Sequence, residues 1–345
     1  MRDLLAILDG VIIGFVWLLS RLLADPRNPW QILDRPNARS LHAQPVPRMG
    51  GLAILVGVLM GSAFAPWRFS WRLDVVLAAL ALVAILSWYD DIRGVSPRLR
   101  LLTHSVAALG VAWAYVQWPP VLLPHWALSV PGPLAVILMT IFLVWWINLY
   151  NFMDGMDGFA GGMAVVGFAT LALLGLRAHD LPYAEIGFIV ASAACGFTIS
   201  NFPPARLFMG DMGATTLGFA AGIMVLAGAQ RGDFPVWVGL IVFSPFLVDA
   251  TVTLIRRLAR GENPTTAHRD HYYQRLVRLG LSHKRTVLGE YGLMAVCGVC
   301  AYASVGRPAL AQWAILAFLA VFYGFLAALV GRWEGYGTGN GKASF

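Results

Sequence analysis

Apolar segments follow one another along almost the whole chain, and short polar connectors separate them. Each segment is long enough to cross a bilayer as an α-helix, which takes about 17 to 25 residues. The sequence predicts eleven transmembrane helices, at residues 3–23, 50–66, 73–89, 101–117, 133–149, 159–177, 184–201, 213–229, 235–257, 287–304 and 308–331. The first carries Asp3 and Asp9, and we interpret it as a retained anchor rather than a cleaved signal segment.

The composition agrees with this pattern. Of the 345 residues, 58% are hydrophobic and 12% are charged, whereas a soluble fold of this length needs more polar surface. We therefore predict an all-α, polytopic integral membrane protein with cytosolic active-site loops. A single membrane domain covers residues 1–345, and residues 331–345 form a loose cytosolic tail.

The basic residues predict the orientation. Loops 24–49, 90–100, 202–212 and 256–286, with the tail, hold 18 of the 25 Lys and Arg residues. The positive-inside rule places these loops in the cytosol and the N-terminus outside. Lys284 and Lys342 are the only lysines, and so much arginine favours phosphate recognition or contact with anionic headgroups.

Carboxylates gather on the same predicted face, where they are costly unless they are solvated, paired or bound to a cation. Asp90 and Asp91 end a predicted span, where both can approach one cation, or one can hold the cation while the other polarises a nucleophile. The alternative is a plain helix end with Asp91 paired to Arg93.

A second polar motif repeats every three residues: Asn148, Asn151, Asp154 and Asp157. This spacing aligns the four side chains on one face if the span's last turn tightens or continues as a helix. The glycines that follow Asp154 and Asp157 provide sharp turns where backbone can approach a ligand. The alternative is an ordinary polar turn between spans.

The third motif surrounds Asp211. Gly210 and Gly213 flank it at the start of a span, so free backbone N–H groups could cradle phosphate while Asp211 holds a divalent cation. Phe208 is suited to stack on a base and Arg206 to pair with phosphate. The alternative makes Asp211 a helix cap and Phe208 a buried anchor.

The most basic loop supplies further anion-binding groups. We expect Arg269 and His271 to face phosphate, whereas zinc at His268 and His271 lacks a cysteine or glutamate to complete the site. Some arginines of this loop fit a polybasic patch on anionic headgroups equally well. Arg48, held near the membrane plane by its proline- and glycine-rich loop, adds another cation.

These groups favour Mg²⁺ with a diphosphate substrate, because Mg²⁺ prefers oxygen ligands and keeps open positions; Mn²⁺ is the alternative ion. Their order along the chain resembles the polyprenyl-phosphate N-acetylhexosamine-1-phosphate transferases. The resemblance runs from about residue 35 to 290. It is carried by Pro45-x-Pro47-Arg48-x-Gly50-Gly51, Asp90-Asp91, the Asn148 to Gly158 block, Phe208-x-Gly210-Asp211-x-Gly213 and the His271 loop.

The resemblance implies a UDP-sugar donor, undecaprenyl phosphate as acceptor, Mg²⁺, and UMP as leaving group, at the bacterial inner (cytoplasmic) membrane. It implies no nucleic-acid partner, and the sequence leaves a homodimer open. The resemblance and the motifs described above together predict the site residues. They are catalytic Asp90, Asp91 and His271; metal-binding Asp211 and Asp91; and substrate-binding Arg48, Asn148, Asn151, Asp154, Asp157, Arg206, Phe208 and Arg269.

One departure from the family pattern narrows the prediction. Members that make the first peptidoglycan lipid have consecutive histidines in the basic loop, where this chain has His271-Tyr272-Tyr273-Gln274. The resemblance therefore implies the branch that initiates O-antigen or capsule synthesis. It leaves the N-acetyl sugar itself open.

Of two other functions, a transporter remains an alternative and a phosphatidyltransferase fails on the spacing of its motif. A polytopic transporter of an anionic substrate would also place polar residues in a helical bundle, although the acids here gather at one face. A CDP-alcohol phosphatidyltransferase needs a different aspartate spacing after its Asp-Gly pair.

Overall fold

The computed structural model describes residues 2–36, 44–64, 70–115, 121–124, 126–263 and 268–339. Parts of several predictions lie outside these residues. They are 37–43 and 264–267 in two predicted cytosolic loops, 65–66 and 116–117 at the ends of two predicted spans, and 340–345 in the predicted tail.

Helices make up most of the described chain. They are α1 (Arg2–Ala24), α2 (Gly50–Ser62), α3 (Trp71–Arg93), α4 (Pro97–Ala114), α5 (Gly132–Met153), α6 (Phe159–Arg177), α7 (Leu181–Asn201), α8 (Gly210–Arg231), α9 (Val236–Val242), α10 (Ser244–Ala259), α11 (Tyr272–Arg278), α12 (His283–Ser304) and α13 (Ala309–Gly339). Two antiparallel pairs of short strands occupy loops: β1 (Leu33–Asp34) with β2 (Val46–Pro47), and β3 (Val121–Leu123) with β4 (Trp126–Leu128).

Several helices begin at residues that satisfy the free N–H groups of a first turn. Ser70, Ser96, Asp180 and Ser282 each accept a hydrogen bond from the backbone N–H three residues further on. Each of these bonds supplies an acceptor for an N–H group that has no partner inside its own helix. The prediction of an all-α polytopic membrane protein is confirmed.

The count of eleven spans is not confirmed. Among the described residues, eight helices are long and apolar enough to cross a membrane, or nine if one bent pair counts as a single span. The 13 residues of α2 reach only about 20 Å, short of a core of about 30 Å. The predicted span at 101–117 lies largely in α4, whose first turns carry Arg98 and Arg100.

The predicted span 235–257 is broken in two. Helices α9 and α10 meet at an angle of 85°, with Phe243 between them. Pro245 explains the break, because proline lacks an N–H and its ring clashes with the carbonyl four residues earlier. That carbonyl belongs to Ile241, and the Ser244 hydroxyl donates a hydrogen bond to it at 2.7 Å.

The C-terminal helix continues further than the predicted span. Residues 332–339 extend α13 as a helix, so the described part of the predicted loose tail is helical. The Arg275 guanidinium on α11 donates to Glu334 on α13 at 2.7 and 2.5 Å, which holds this extension against the bundle.

Helix α8 lies at the centre of the bundle and packs against α2, α3, α5, α6 and α9. Buried residues make up 78% of its apolar window, against 11% for α13. Small residues allow the close packing: a Cβ on Gly51 of α2 would clash with the backbone of Gly213 on α8. This contact fixes the start of α2 against the start of α8.

Gly51→Ala should therefore destabilise the protein. Separating two backbones to admit one methyl group costs about 1–3 kcal/mol. Gly324→Ala in α13 is the matched control, since a Cβ there meets nothing within 4 Å. Thermal unfolding in detergent should show a lower Tm for Gly51→Ala only, and equal Tm values for both variants would contradict the packing argument.

Candidate functional site

The candidate site lies at the end of the bundle where α3 and α5 finish and α8 begins. A parallel bridge joins Arg48, just after β2, to Phe208, just before α8. The Phe208 N–H donates to the Pro47 carbonyl at 2.7 Å, and the Gly50 N–H donates to the Phe208 carbonyl at 2.8 Å. Two loops far apart in the sequence are thus held edge to edge.

Asp91 connects the last turn of α3 to the first turn of α8. Its two carboxylate oxygens accept hydrogen bonds from the backbone N–H groups of Asp211 at 3.1 Å and Met212 at 3.0 Å. Those N–H groups have no partner inside their own helix, and the helix dipole favours a negative charge beside them. The Asp91 side chain is 1% exposed, so it acts as a buried cap supplied by a neighbouring helix.

Arg48 and Gly210 complete this connection. The Arg48 guanidinium donates to the Asp91 backbone carbonyl at 2.5 Å, and its Nε lies 3.7 Å from the Asp91 carboxylate. Gly210 has φ of 76°, and a Cβ there would lie 2.9 Å from Asp91 Oδ2. Glycine is therefore required for both conformation and space.

Asp90 points away from Asp91 and meets a cation that the sequence did not single out. Its oxygens accept from the Val95 N–H at 2.6 Å and from Arg100 at 3.0 Å. The same Arg100 nitrogen lies 3.5 Å from Asp211 Oδ2. Arg100 therefore bridges the acids of α3 and α8.

The predicted three-residue register is only partly helical. Asn148 and Asn151 lie on successive turns of α5, but the helix ends at Met153. The Asn148 amide donates to the Val144 carbonyl at 2.7 Å, and the Asn151 amide hydrogen-bonds the Asp211 carboxylate. Asp154 caps the end of α5 with φ −84° and ψ 50°, so the helix does not carry Asp157 onto the same face.

Asp154 lies among other acids. Burial raises its pKa well above the ordinary value, and the charges of Asp211, Asp91, Asp157 and Asp34 raise that pKa further. A bound cation would relieve this repulsion.

Asp157 has a different set of contacts. Its Oδ2 accepts from the Ala205 N–H at 3.0 Å. Beside it, the Asn201 side chain accepts from the Gly158 N–H and donates to the Leu207 carbonyl, both at 2.8 Å. These bonds fasten the turn after α5 to the loop that leads into α8. In that loop Phe208 is half-buried and Arg206 is exposed.

His271 is held by an acid of α10. Its Nδ1 lies 3.2 Å from Asp249 Oδ1, and both side chains are more than 90% buried. Asp249 also accepts from the N–H groups of Tyr272 at 2.9 Å and Tyr273 at 3.3 Å, so it caps the start of α11. Arg269, two residues before His271, is half-buried.

The donors near Asp211 suit a hard cation only in part. Among the described residues, no group of three or more His, Cys, Asp and Glu side chains could hold a metal ion by itself. Mg²⁺, however, usually takes one or two carboxylates and completes its shell with waters and phosphates. Asp211, 33% exposed, with Asn151 and Asp154 nearby, offers such oxygen ligands. Asp91 already accepts two backbone N–H groups, so its metal-binding role stays a prediction.

Comparisons with known proteins identify the family of this chain. The model of glycosyl transferase family 4 matches residues 73–229. A phospho-N-acetylmuramoyl-pentapeptide-transferase from Synechococcus is 32% identical over 83% of this chain and 84% of its own length. The chain belongs to glycosyl transferase family 4.

Two further proteins that are similar to this chain have names that include N-acetylglucosamine. A decaprenyl-phosphate N-acetylglucosaminephosphotransferase from Mycolicibacterium smegmatis is 30% identical over 74% of this chain and 71% of its own length. A probable undecaprenyl-phosphate N-acetylglucosaminyl 1-phosphate transferase from Bacillus subtilis is 27% identical over 87% and 84%. The stretch matched by the family model contains Asp90, Asp154 and Asp211, whereas Arg48 and His271 lie outside it.

Three residues with contacts at the site of this family 4 chain were not among the predicted site residues: Arg100, Asn201 and Asp249. Asp249 carried a usable signal, because it is a single acid in an otherwise apolar segment. Arg100 and Asn201 gave no such signal, since their partners lie across the fold.

Asp91→Ala should unfold more easily than the wild type. Each buried N–H of α8 left without an acceptor costs about 1–3 kcal/mol. Asp74→Ala, which removes an exposed acid from the same helix, is the control. Chemical or thermal unfolding without substrate should separate the two variants, and indistinguishable curves would refute the capping role.

Asp154→Asn should stabilise the metal-free protein. The raised pKa keeps Asp154 protonated in the folded state while the unfolded carboxyl ionises, so Asp154 lowers stability as the pH rises above about 4. The Tm advantage of Asp154→Asn should therefore grow from pH 4 towards pH 8, and Asp74→Asn, at an exposed acid, serves as the control. A variant that melts below the wild type at pH 8 would overturn the electrostatic argument.

Proposed function

We propose that this protein transfers N-acetylhexosamine 1-phosphate from a UDP-sugar to undecaprenyl phosphate and releases UMP. The observation that carries the proposal is the meeting of Asp90, Asp91, Asp154 and Asp211 with Arg48 and Arg100 at one end of the bundle. Three relatives with polyprenyl-phosphate or sugar-phosphate transferase names support it.

The reaction is an in-line phosphoryl transfer. An oxygen of the lipid phosphate attacks the phosphorus that bears the sugar, a new P–O bond forms, and the P–O bond to UMP breaks. Both reactants are anions, so the site must first bring negative charges together. Mg²⁺ bound at Asp211, with Asn151 and Asp154 beside it, would supply charge neutralisation.

The protein's own side chains position the two substrates. Arg48 and Arg100 present guanidinium groups to phosphate. The lipid phosphate is already ionised near neutral pH, so Asp90 needs only to orient it or accept a last proton. The half-buried Phe208 ring would stack on the uracil, and Arg206 and Arg269 would pair with the diphosphate. Asp249 orients His271, whose other ring nitrogen can contact a phosphate oxygen.

Residues of the basic loop favour the branch of the family that initiates O-antigen or other surface polysaccharides. Tyr272 and Tyr273 stand where relatives of the peptidoglycan branch have histidines. Here the Tyr272 ring lies under the guanidinium of Arg275 at 4.6 Å, and Tyr273 is fully buried beneath His271. Neither offers a second imidazole to the substrate. The Synechococcus relative bears a pentapeptide-transferase name, so the donor must be tested directly.

The decisive test uses purified protein, undecaprenyl phosphate and a panel of UDP-sugars, with UMP release as the readout. UDP-N-acetylhexosamines should give Mg²⁺-dependent release, and UDP-N-acetylmuramoyl-pentapeptide should not. Asp211→Asn should lower turnover by about 100-fold or more, with Asp74→Asn as the control. Mg²⁺-dependent turnover that survives Asp211→Asn would reject the metal assignment, and substrate uptake without UMP release would favour a transporter.

A further inference from the structure

A polar cavity outside the candidate site lies between the end of α10, the short helix α11 and the extension of α13. Its volume is about 170 Å³, enough for a phosphate group and several waters. Among the described residues, none of the side chains assigned to the candidate site lines it. Five arginines do: Arg256, Arg257, Arg260, Arg275 and Arg278.

Two carboxylates also line the cavity, and each already pairs with one arginine. Arg257 lies 2.6 Å from Asp270, and Arg275 binds Glu334 through two nitrogens. A third carboxylate, that of Glu262 outside the lining, lies 2.9 Å from Arg257. Five guanidinium groups thus face three carboxylates, which leaves a net positive charge. Guanidinium groups cannot release this charge by deprotonation, and a cleft concentrates the field that attracts an anion.

The remaining arginines have weaker partners. Arg256 donates to the neutral Tyr272 hydroxyl at 3.1 Å. The exposed Arg260 lies 3.5 Å from the half-buried Glu262, an ion pair that water weakens. Basic residues at a helix end are favourable through the helix dipole alone, which would explain Arg256 and Arg257 on α10. The same effect accounts for Arg275 and Arg278 in the last turn of α11. It does not account for the convergence of both helix ends on one cavity.

The neighbours of the cavity favour a lipid as the source of the anion. Ile255 and Leu258, on the same turns of α10 as Arg256 and Arg257, are 59% and 52% exposed. Trp333, next to Glu334, is 42% exposed. Exposed apolar and aromatic side chains beside arginines at the end of a membrane bundle are typical of the headgroup region.

We propose that this arginine cavity is a second anion site, separate from the catalytic centre, which binds a phosphate group and takes it from an anionic lipid headgroup. The exposed apolar side chains contact the acyl chains, and the arginines contact the phosphate. The site does not depend on the proposed reaction, because it can be occupied without either substrate.

Binding is tested on the full-length protein in detergent, without UDP-sugar or polyprenyl phosphate. The probes are short-chain phosphatidylglycerol, short-chain phosphatidylcholine and inorganic phosphate, and Kd is measured by native mass spectrometry or ligand-induced change in Tm. Phosphatidylglycerol should bind more tightly than phosphatidylcholine. Arg256→Gln/Arg278→Gln should weaken it by about tenfold or more, whereas Arg285→Gln, an exposed arginine outside the lining, should not.

Glu334→Gln provides the opposite test, because it frees Arg275 for the ligand. It should tighten phosphatidylglycerol binding, a change that a merely structural arginine cluster would not produce. Inorganic phosphate that competes with the lipid would identify the phosphate itself as the recognised group, whereas lipid binding without such competition would identify the headgroup in its membrane setting. Equal affinity for the two lipids, or equal Kd values for the wild type and the double variant, would overturn the proposal.

Discussion

The arrangement of the site depends on one carboxylate, that of Asp91, which accepts hydrogen bonds from two N–H groups at the start of α8. A helix that begins inside a membrane protein must find partners for these groups, because water does not reach them. Supplying the partner from α3 fixes the two helices in depth and rotation. It also explains why Gly210 must lack a side chain and why Arg48 lies against α3 rather than in solvent.

The contact between Asp91 and the start of α8 brings more carboxylates together than the nearby arginines neutralise. Asp90, Asp91, Asp154 and Asp211 lie together, while Arg48 and Arg100 are the cations that contact them. The raised pKa of Asp154 is the cost of this gathering. A fold optimised only for stability would not keep four carboxylates here. Such electrostatic repulsion is typical of sites that bind a cation or a phosphorylated ligand.

The sequence predicted the features that depend on residues close together in the chain, namely the helices and the polar motifs at their ends. In the part of the chain that the structure describes, ten of the eleven apolar segments each fall on one helix and the eleventh is divided between α9 and α10. The polar motifs at their ends meet at one end of the bundle. Pro245 is a sequence signal for the break at Phe243. The apolar residues around it gave a stronger signal for one continuous span. The partners of Arg100, Asn201 and Asp249 were not readable, because those contacts depend on how distant helices pack. The end of α5 at Met153 likewise depends on the turn that carries Asp157 to Ala205.

Helix α10 joins the two regions that we propose bind anions. Asp249, Thr253 and Arg257 lie at intervals of four residues and are all buried, so they share one face of the helix. Asp249 holds His271, Thr253 donates to Asp249 at 3.1 Å and also lines the arginine cavity, and Arg257 binds Asp270 directly before His271. Because α10 turns by 85° from α9, this face runs along the end of the bundle. A ligand that orders the arginines therefore acts on the same helix that orients the histidine.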